Sequence, residues 1–206
     1  MVSSYPVQFD VDFPERPLSR LTTAFRFIVA IPIVIVLSLL SGEAFNNDSN
    51  STEHSLVIGG AAVFVPLVLM ILFRQKYSRW WFDWNLNLMR FTNRVTAYMA
   101  LLDDRYPSTD EEQSVHLDFA YPDAQQLNRW MPLVKWFLAI PHYFVLFFLW
   151  VAAAFSIVIA WFSILFTGRY PRGLFGFVVG VLRWQNRVNG YAFLLVTDKY
   201  PPFSLS

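Results

Sequence analysis

Cysteine is absent from this chain of 206 residues, and charged residues are scarce. Without cysteine, the protein has no disulfides, no thiol chemistry and no thiolate metal site. Charged residues make up 15% of the sequence, whereas about 25% is usual for soluble domains. Together with 55% hydrophobic residues and a mean hydropathy of +0.39, this low charge predicts a membrane protein.

Motifs for enzyme chemistry are also missing. The three histidines, His54, His116 and His142, show no metal-ligand spacing with each other or with carboxylates. The sequence has no glycine-rich phosphate loop, no nucleophile elbow and no helical His-Glu-x-x-His site. We therefore expect a protein that is not an enzyme and that has no catalytic residues, cofactor or metal. The basic residues lie close to the apolar runs and their net excess is small, which argues against binding to nucleic acid.

The sequence does contain one pattern twice. Seven residues recur ninety-three positions later: Phe82, Arg90, Asn93, Arg94, Val95, Tyr98 and Leu102 return as Phe175, Arg183, Asn186, Arg187, Val188, Tyr191 and Leu195. After a slip of one residue, Asp104 to Pro107 returns as Asp198 to Pro201. This self-similarity predicts an internal duplication with a first repeat at 1–109 and a second at 110–206.

Each repeat begins with a segment in which apolar and polar residues alternate, at 5–13 and 114–121. Alternation of this kind predicts a short strand. A single strand is unstable alone, so we expect the two to pair with each other, with the tail at 203–205, or with another subunit. The alternative is an extended lead-in held by the helix that follows.

Long apolar runs predict four transmembrane helices, two in each repeat. The first repeat has runs at 21–40 and 56–73, each long enough for a bilayer core of about 30 Å. Residues 131–166 would measure about 54 Å as one helix, which exceeds that thickness. We therefore predict a hairpin that turns at 150–154, with spans at 131–150 and 153–167.

The block that carries the repeated arginines predicts an amphipathic helix in each repeat, at 79–102 and 172–196. Apolar residues follow one face at steps of three and four, and the arginine pairs lie beside them. Aromatic and basic faces on one helix are typical of the membrane interface. The alternative is a helix packed on the protein's own core. The predicted fold class is thus an α-helical integral membrane protein of two parallel repeats, each with two spans, an interfacial helix and a lead-in strand.

The distribution of basic residues predicts the orientation. The loop at 41–55 contains no lysine or arginine, so by the positive-inside rule it faces outward and both termini are cytoplasmic. Asn47 and Asn50 in this loop are formal N-glycosylation acceptors, which matter only in a host with that machinery. An even number of spans gives the two repeats the same orientation, with their pseudo-two-fold axis along the membrane normal.

Charged and ionisable residues in the repeats are the candidate site residues. Arg90, Arg94, Arg183 and Arg187 are candidates for binding anionic lipid headgroups or for structural anchoring. In the structural interpretation, Arg94 pairs with Asp104 and Arg187 pairs with Asp198.

A second set of candidates lies within the predicted spans. Arg26 and Lys135 either extend to the cytoplasmic interface or line a polar vestibule. His142 is either a third vestibule residue or a neutral imidazole bonded to a backbone carbonyl.

The stretch from Thr167 to Phe175, followed by Arg183-Trp184, Arg187-Val188 and Asp198 to Phe203, resembles the DUF4389 family of prokaryotic membrane proteins. The resemblance extends over nearly the whole chain, because the family pattern includes the duplicated arrangement. It implies a small multi-pass protein of the prokaryotic inner membrane and implies no catalytic or binding residues.

Two functions fit these observations. The chain contains 38 aromatic residues (21 Phe, 8 Trp and 9 Tyr), more than four short spans can bury, which indicates contact with lipid or with a partner. We therefore expect a non-catalytic membrane scaffold or accessory protein that forms a homo-oligomer or joins a larger membrane complex. The alternative is a channel or small-solute transporter with a path along the pseudo-two-fold axis or an oligomer axis.

Overall fold

Two short strands form where polar and apolar residues alternate. A computed structural model describes residues 5–40, 67–109, 111, 113–123, 125 and 127–206. Strand β1 (Val7–Val11) pairs antiparallel with strand β2 (Val115–Phe119). In both strands the first, third and fifth side chains are buried, and the two between them are exposed. The two predicted strands are therefore confirmed. Of the three partners considered for each strand, the structure shows the other strand.

The predicted span 21–40 consists of two helices rather than one. Helix α1 (Arg20–Ala24) is capped by the Ser19 hydroxyl, which accepts a hydrogen bond from the Thr22 amide at 3.4 Å. Phe25 separates it from helix α2 (Arg26–Leu40). The 15 described residues of α2 measure about 22 Å, and residues 41–66 after them lie outside the described structure.

The other predicted span of the first repeat, 56–73, lies mostly outside the described residues. Its described end is helical from residue 67 and finishes in a π-helix, Met70–Arg74. Gln75 then adopts a left-handed conformation with φ of 43°, which ends the helix.

Helix α3 (Arg79–Met99) forms within the predicted range 79–102. It stops short of that range because Leu101 is left-handed, with φ of 64°. Phe91, Val95 and Tyr98 are buried in a cluster with residues of α2. The apolar residues of this part of α3 therefore contact the protein itself.

Helix α4 (Met131–Thr167) is a single helix of 37 residues, so the predicted hairpin is wrong. The proposed turn at 150–154 has the sequence Trp-Val-Ala-Ala-Ala, which contains no helix breaker. The hairpin is predicted because residues 131–166 as one helix are longer than the bilayer core is thick. That comparison does not determine whether the helix is continuous. Among the described residues, α4 alone is long and apolar enough to cross a membrane, so four transmembrane helices are not supported.

Helix α5 (Arg172–Ala192) forms within the predicted range 172–196 and packs against α4. It ends before Leu195, which is left-handed like Leu101, with φ of 53°. Its apolar face is buried in the protein's own core. This arrangement is the alternative to the predicted position at the membrane interface. The buried residues of this face and the turn after it include Val181, Trp184, Val188, Tyr191 and Leu195.

Strands β1 and β2 form a two-stranded ribbon. Helices α3 and α5 lie between this ribbon and the apolar helices α2 and α4. Strand β1 packs on α5 and β2 packs on α3, while α4 packs on α5 and α2 packs on α3. Trp184 and Val188 of α5 contact α4, whereas Gly190 faces β1. A Cβ at Gly190 would lie 2.7 Å from Val7 Cγ2, so glycine permits the strand to approach this closely. The strand of each predicted repeat therefore packs on the helix of the other.

Candidate functional site

A cleft of about 870 Å³ opens between the ribbon and the two central helices. It brings together all four arginines predicted from the repeated pattern. Arg90 and Arg94 enter it from α3, and Arg183 and Arg187 enter it from α5. Residues four positions apart share one face of a helix, so each helix presents its two arginines to the cleft.

The two outer arginines bind the ribbon in equivalent ways. The Arg90 Nε donates a hydrogen bond to the Leu117 carbonyl oxygen, and the Arg183 Nε donates to the Phe9 carbonyl oxygen, both at 2.9 Å. Each guanidinium also pairs with the next residue of the strand. Arg90 lies 3.5 Å from Asp118, and Arg183 lies 3.0 Å from Asp10. The structural anchoring predicted for Arg90 and Arg183 is thus a contact with the strand of the opposite repeat.

The two inner arginines are buried and bind main-chain oxygens. Arg94 donates to the Ser108 carbonyl at 2.9 Å. Arg187 donates to the Ser204 oxygen at 3.3 Å and to the Ser206 oxygen at 2.6 Å. The Arg187 Nε is buried without a hydrogen-bond partner in the described part of the chain. Burial, and secondarily repulsion from Arg183, lower the pKa of Arg187.

An asparagine pair joins the helices beside these arginines. The amide groups of Asn93 and Asn186 exchange two hydrogen bonds, at 2.8 and 2.7 Å, and both side chains are buried. Each asparagine directly precedes an inner arginine, so the pair holds the two arginine faces side by side. The two asparagines recur in the sequence pattern, but the pattern does not indicate that they meet.

The predicted Arg94–Asp104 and Arg187–Asp198 pairs are wrong. Asp104 instead forms an ion pair with Arg26, and Asp198 pairs with Lys135 at 2.7 Å. The physical reason is burial. Arg26 and Lys135 are each about 1% exposed, and a carboxylate close by stabilises a desolvated cation.

Arg26 and Lys135 therefore neither extend to an interface nor line a vestibule. Arg26 also donates to the carbonyls of Tyr98 and Asp103, and Lys135 also donates to the Thr197 carbonyl at 2.8 Å. Each cation stacks over a tyrosine ring, Tyr98 at 4.3 Å and Tyr191 at 5.1 Å. These contacts fasten the apolar helices to the turns that follow α3 and α5.

His142 is fully buried and, within the described ranges, forms no hydrogen bond with the backbone carbonyl that the neutral alternative predicted. Its Nδ1 accepts a hydrogen bond from the Trp184 indole at 3.1 Å, and its ring stacks on Phe203 at 4.1 Å. Acceptance at Nδ1 requires that nitrogen to be unprotonated. The contacts of His142 are with Trp184, Tyr200 and Phe203, whereas those of Arg26 are with Tyr98, Asp103 and Asp104, so no contact in the described structure joins His142 to Arg26.

Metal chemistry has no candidate within the described residues. No group of three or more histidine, aspartate or glutamate side chains in the described ranges is placed to hold a metal ion. His116 pairs with Asp12 at 3.0 Å on the exposed side of the ribbon. The arginine cleft, which gathers the repeated arginines, is the candidate functional site among the described residues.

Comparison with known proteins identifies a family for the second half of the chain. Residues 129–204 match the family model described as Domain of unknown function (DUF4389). The predicted resemblance is confirmed over this stretch. The DUF4389 region contains α4, α5, Lys135, His142, Arg183, Arg187 and Asp198, whereas Arg90, Arg94 and Asp104 lie outside it. No curated protein and no solved structure matches the chain.

Proposed function

We propose that this protein is a non-catalytic membrane scaffold, with α4 in the apolar layer and the ribbon in water. The observation that carries this proposal is the surface of α4. Only 22% of its most apolar stretch is buried within the protein. Seven phenylalanines on this helix are each more than half exposed: Phe137, Phe144, Phe147, Phe148, Phe155, Phe162 and Phe166. An apolar surface of this extent is stable against lipid or a partner rather than water.

The length of that surface favours a helix that lies along the membrane. Exposed apolar side chains extend from Leu133 to Phe166, about 50 Å along the helix axis. A perpendicular crossing of a core of about 30 Å would leave the remainder in water. Arg129 precedes α4, and Arg169 follows it, so both ends carry exposed positive charge. By the positive-inside rule, both ends then lie on the cytoplasmic side.

The contacts of the amino-terminal segment support one orientation for the whole protein. The Tyr5 hydroxyl donates to the Lys199 carbonyl at 3.1 Å, so residues near the two ends of the described chain touch. Both segments thus lie on the same side, which we propose is the cytoplasmic side of a prokaryotic inner membrane. The family resemblance supports that location.

An internal duplication accounts for the paired contacts. Arg90 and Arg183 bind equivalent carbonyls of the two strands, and Arg26 and Lys135 bind equivalent aspartates. We propose that the chain arose by doubling of one unit and that α2, with the segment after it, is the counterpart of α4. The buried Asn93–Asn186 contact then marks the pseudo-two-fold axis.

As a scaffold, the protein would act by self-assembly or by binding a larger membrane complex. The exposed aromatic surface is the supporting feature, because it exceeds what the described contacts bury. Transport has less support, since the lining of the arginine cleft includes none of Arg26, Lys135 and His142.

Single cysteines test this proposal cleanly, because the natural chain has none. We would introduce R129C and R169C at the two ends of α4, F144C and F155C on its apolar face, and Q8C on the ribbon. A membrane-impermeant maleimide should label positions 8, 129 and 169 from the cytoplasmic side alone. Positions 144 and 155 should react only after detergent is added. A bifunctional maleimide on the F144C and F155C variants should cross-link copies or a partner.

Labelling of R129C and R169C from opposite faces would show that α4 crosses the membrane. Free reaction of F144C without detergent would remove the membrane proposal altogether. Absence of any cross-linked species would leave an embedded protein without scaffolding activity.

A further inference from the structure

A pocket separate from the arginine cleft lies at the carboxyl end of α4. Its volume is about 410 Å³, and residues of the segments 13–18 and 169–172 line it. The Leu18 amide donates to the Gly168 carbonyl at 2.9 Å, which holds the first segment against the turn after α4. We propose that this pocket binds the phosphate of an anionic phospholipid headgroup. The inference rests on the proposed position of α4 in the apolar layer and names the class of lipid bound at its end.

Arginines outnumber carboxylates around this pocket. Arg16, Arg169 and Arg172 line it, together with one carboxylate, Glu15. Within the described ranges these four residues form one ion pair, between Arg16 and Asp103 at 3.9 Å. Counting Asp103 as well leaves 3 − 2 = 1 excess positive charge. One excess positive charge matches the single negative charge of a phosphodiester headgroup.

The two arginines of the turn, Arg169 and Arg172, are exposed and therefore accessible to a ligand. The Arg172 guanidinium lies over the Phe13 ring, 4.9 Å from the ring centroid. A guanidinium that stacks on a ring by its face still presents its edge, which carries the N–H donors. These donors match phosphate oxygens through paired, charge-assisted hydrogen bonds.

An exposed apolar surface adjoins the pocket, and it favours a lipid over a soluble phosphate. The Arg20 guanidinium donates to the Phe166 carbonyl at 3.2 Å, which joins the start of α1 to the last turn of α4. Phe166, Leu21 and Phe25, at or close to this contact in the chain, are each more than half exposed. Basic side chains beside exposed apolar ones fit a headgroup that continues into acyl chains. A soluble phosphate would use the arginines and leave the apolar surface in water.

Short-chain phospholipids serve as the probe. Full-length protein in a nonionic detergent should bind dihexanoyl phosphatidylglycerol saturably in calorimetry, about tenfold more tightly than dihexanoyl phosphatidylcholine, which has no net charge. Glycerol phosphate is the soluble arm and should bind more weakly, because it has no acyl chains. Equal affinity for the two lipids would overturn the proposal. Glycerol phosphate that binds as tightly as phosphatidylglycerol would also overturn it and assign the pocket to a soluble phosphate.

Variants assign the binding to the pocket. We expect R169Q/R172Q to weaken phosphatidylglycerol binding about tenfold or more, because each basic residue near an anionic headgroup contributes about fivefold. R169K/R172K keeps both charges and should recover most of the affinity. R105Q/K199Q removes two exposed basic residues outside the pocket and is the matched control, which should bind as the natural protein does. Unchanged affinity in R169Q/R172Q, or an equal loss in the control, contradicts the assignment.

E15Q tests the same site in the opposite direction. It removes the carboxylate of the lining, so phosphatidylglycerol should bind about fivefold more tightly. Misfolding would not produce a gain in affinity, so this variant remains informative if R169Q/R172Q does not fold. Weaker or unchanged binding in E15Q counts against the pocket.

Nanodiscs of phosphatidylcholine alone separate this inference from the proposed function. Protection of F144C from maleimide in these discs, together with a preference for phosphatidylglycerol in calorimetry, supports both. Protection without that preference overturns the headgroup site and leaves the membrane position of α4 intact. Free reaction of F144C in the discs overturns both.

Discussion

Arg26 and Lys135 show how single residues fasten this protein together. Each is a cation on an apolar helix, and each reaches an aspartate in the turn that follows the central helix of its own half. The same side chain covers a tyrosine ring of that helix. A charge placed in an apolar helix is therefore neutralised inside the protein, and the apolar helix cannot slide without breaking the pair.

Removal of the Asp198 charge should be costly. In D198N, Lys135 stays buried without a carboxylate, so we expect the free energy of unfolding to fall by about 3 kcal/mol. The double variant K135M/D198N buries no unpaired charge and should recover most of that loss. Denaturant unfolding in detergent measures both values.

The matched control for this experiment is D118N. Its ion pair with Arg90 is 74% exposed on the aspartate side and should be worth less than about 1 kcal/mol. If D198N is no less stable than D118N, the buried pair does not hold the apolar helix in place.

At the scale of elements, α4 is the feature that departs most from expectation. The length of the stretch 131–166 predicts a turn at 150–154, because 36 residues in one helix exceed one bilayer crossing. The structure continues the helix through them, with Ala153 and Ser156 buried on the side that faces the protein. Packing against α5 supports a continuous helix, and residues 150–154 contain no glycine or proline at which it could stop.

A proline at Ala154 distinguishes a continuous helix from a hairpin. Ala154 is exposed, so the substitution changes the backbone and little else. In a continuous helix, A154P removes a hydrogen bond and introduces a clash that costs about 3 kcal/mol or more. A154S at the same site is the control and should cost well under about 1 kcal/mol. Thermal unfolding in detergent provides the comparison, and a neutral A154P would favour the hairpin.

The whole molecule is interlocked rather than divided into two units. Strand β1 from the amino-terminal half packs on α5, and β2 from the carboxy-terminal half packs on α3. Arg183 and Arg90 reinforce this exchange by binding the carbonyls of Phe9 and Leu117. The boundaries 1–109 and 110–206 remain a prediction about sequence repeats. Neither half contains the strand that packs on its own central helix.

Separate expression of the halves tests this exchange. Residues 110–206 alone lack β1, so α5 would expose the face that the strand covers, and we expect aggregation in mild detergent. Coexpression of 1–109 with 110–206 should yield a soluble pair that purifies together through a tag on one half. Size-exclusion chromatography after tag purification measures the outcome. A folded, monodisperse 110–206 fragment on its own would contradict the interlocked architecture.

Sequence alone determined the local features of this protein. Alternation predicts both strands, the steps of three and four predict α3 and α5, and the repeated Arg/Asn block points to the residues that meet in the cleft. The match of residues 129–204 to the family model also follows from local motifs. These features depend on residues close together in the chain, where periodicity and turn chemistry are sufficient.

Only the tertiary structure decided which distant residues meet. The partners of Asp104 and Asp198, the exchange of strands between the halves and the continuity of α4 all depend on contacts between separate elements. Nearness in sequence predicts Arg94 as the partner of Asp104, whereas the fold brings Arg26 to it from 78 residues away. Both arginines are buried and need polar partners, and the packing of separate elements places Arg26 beside Asp104 and Arg94 beside the Ser108 carbonyl.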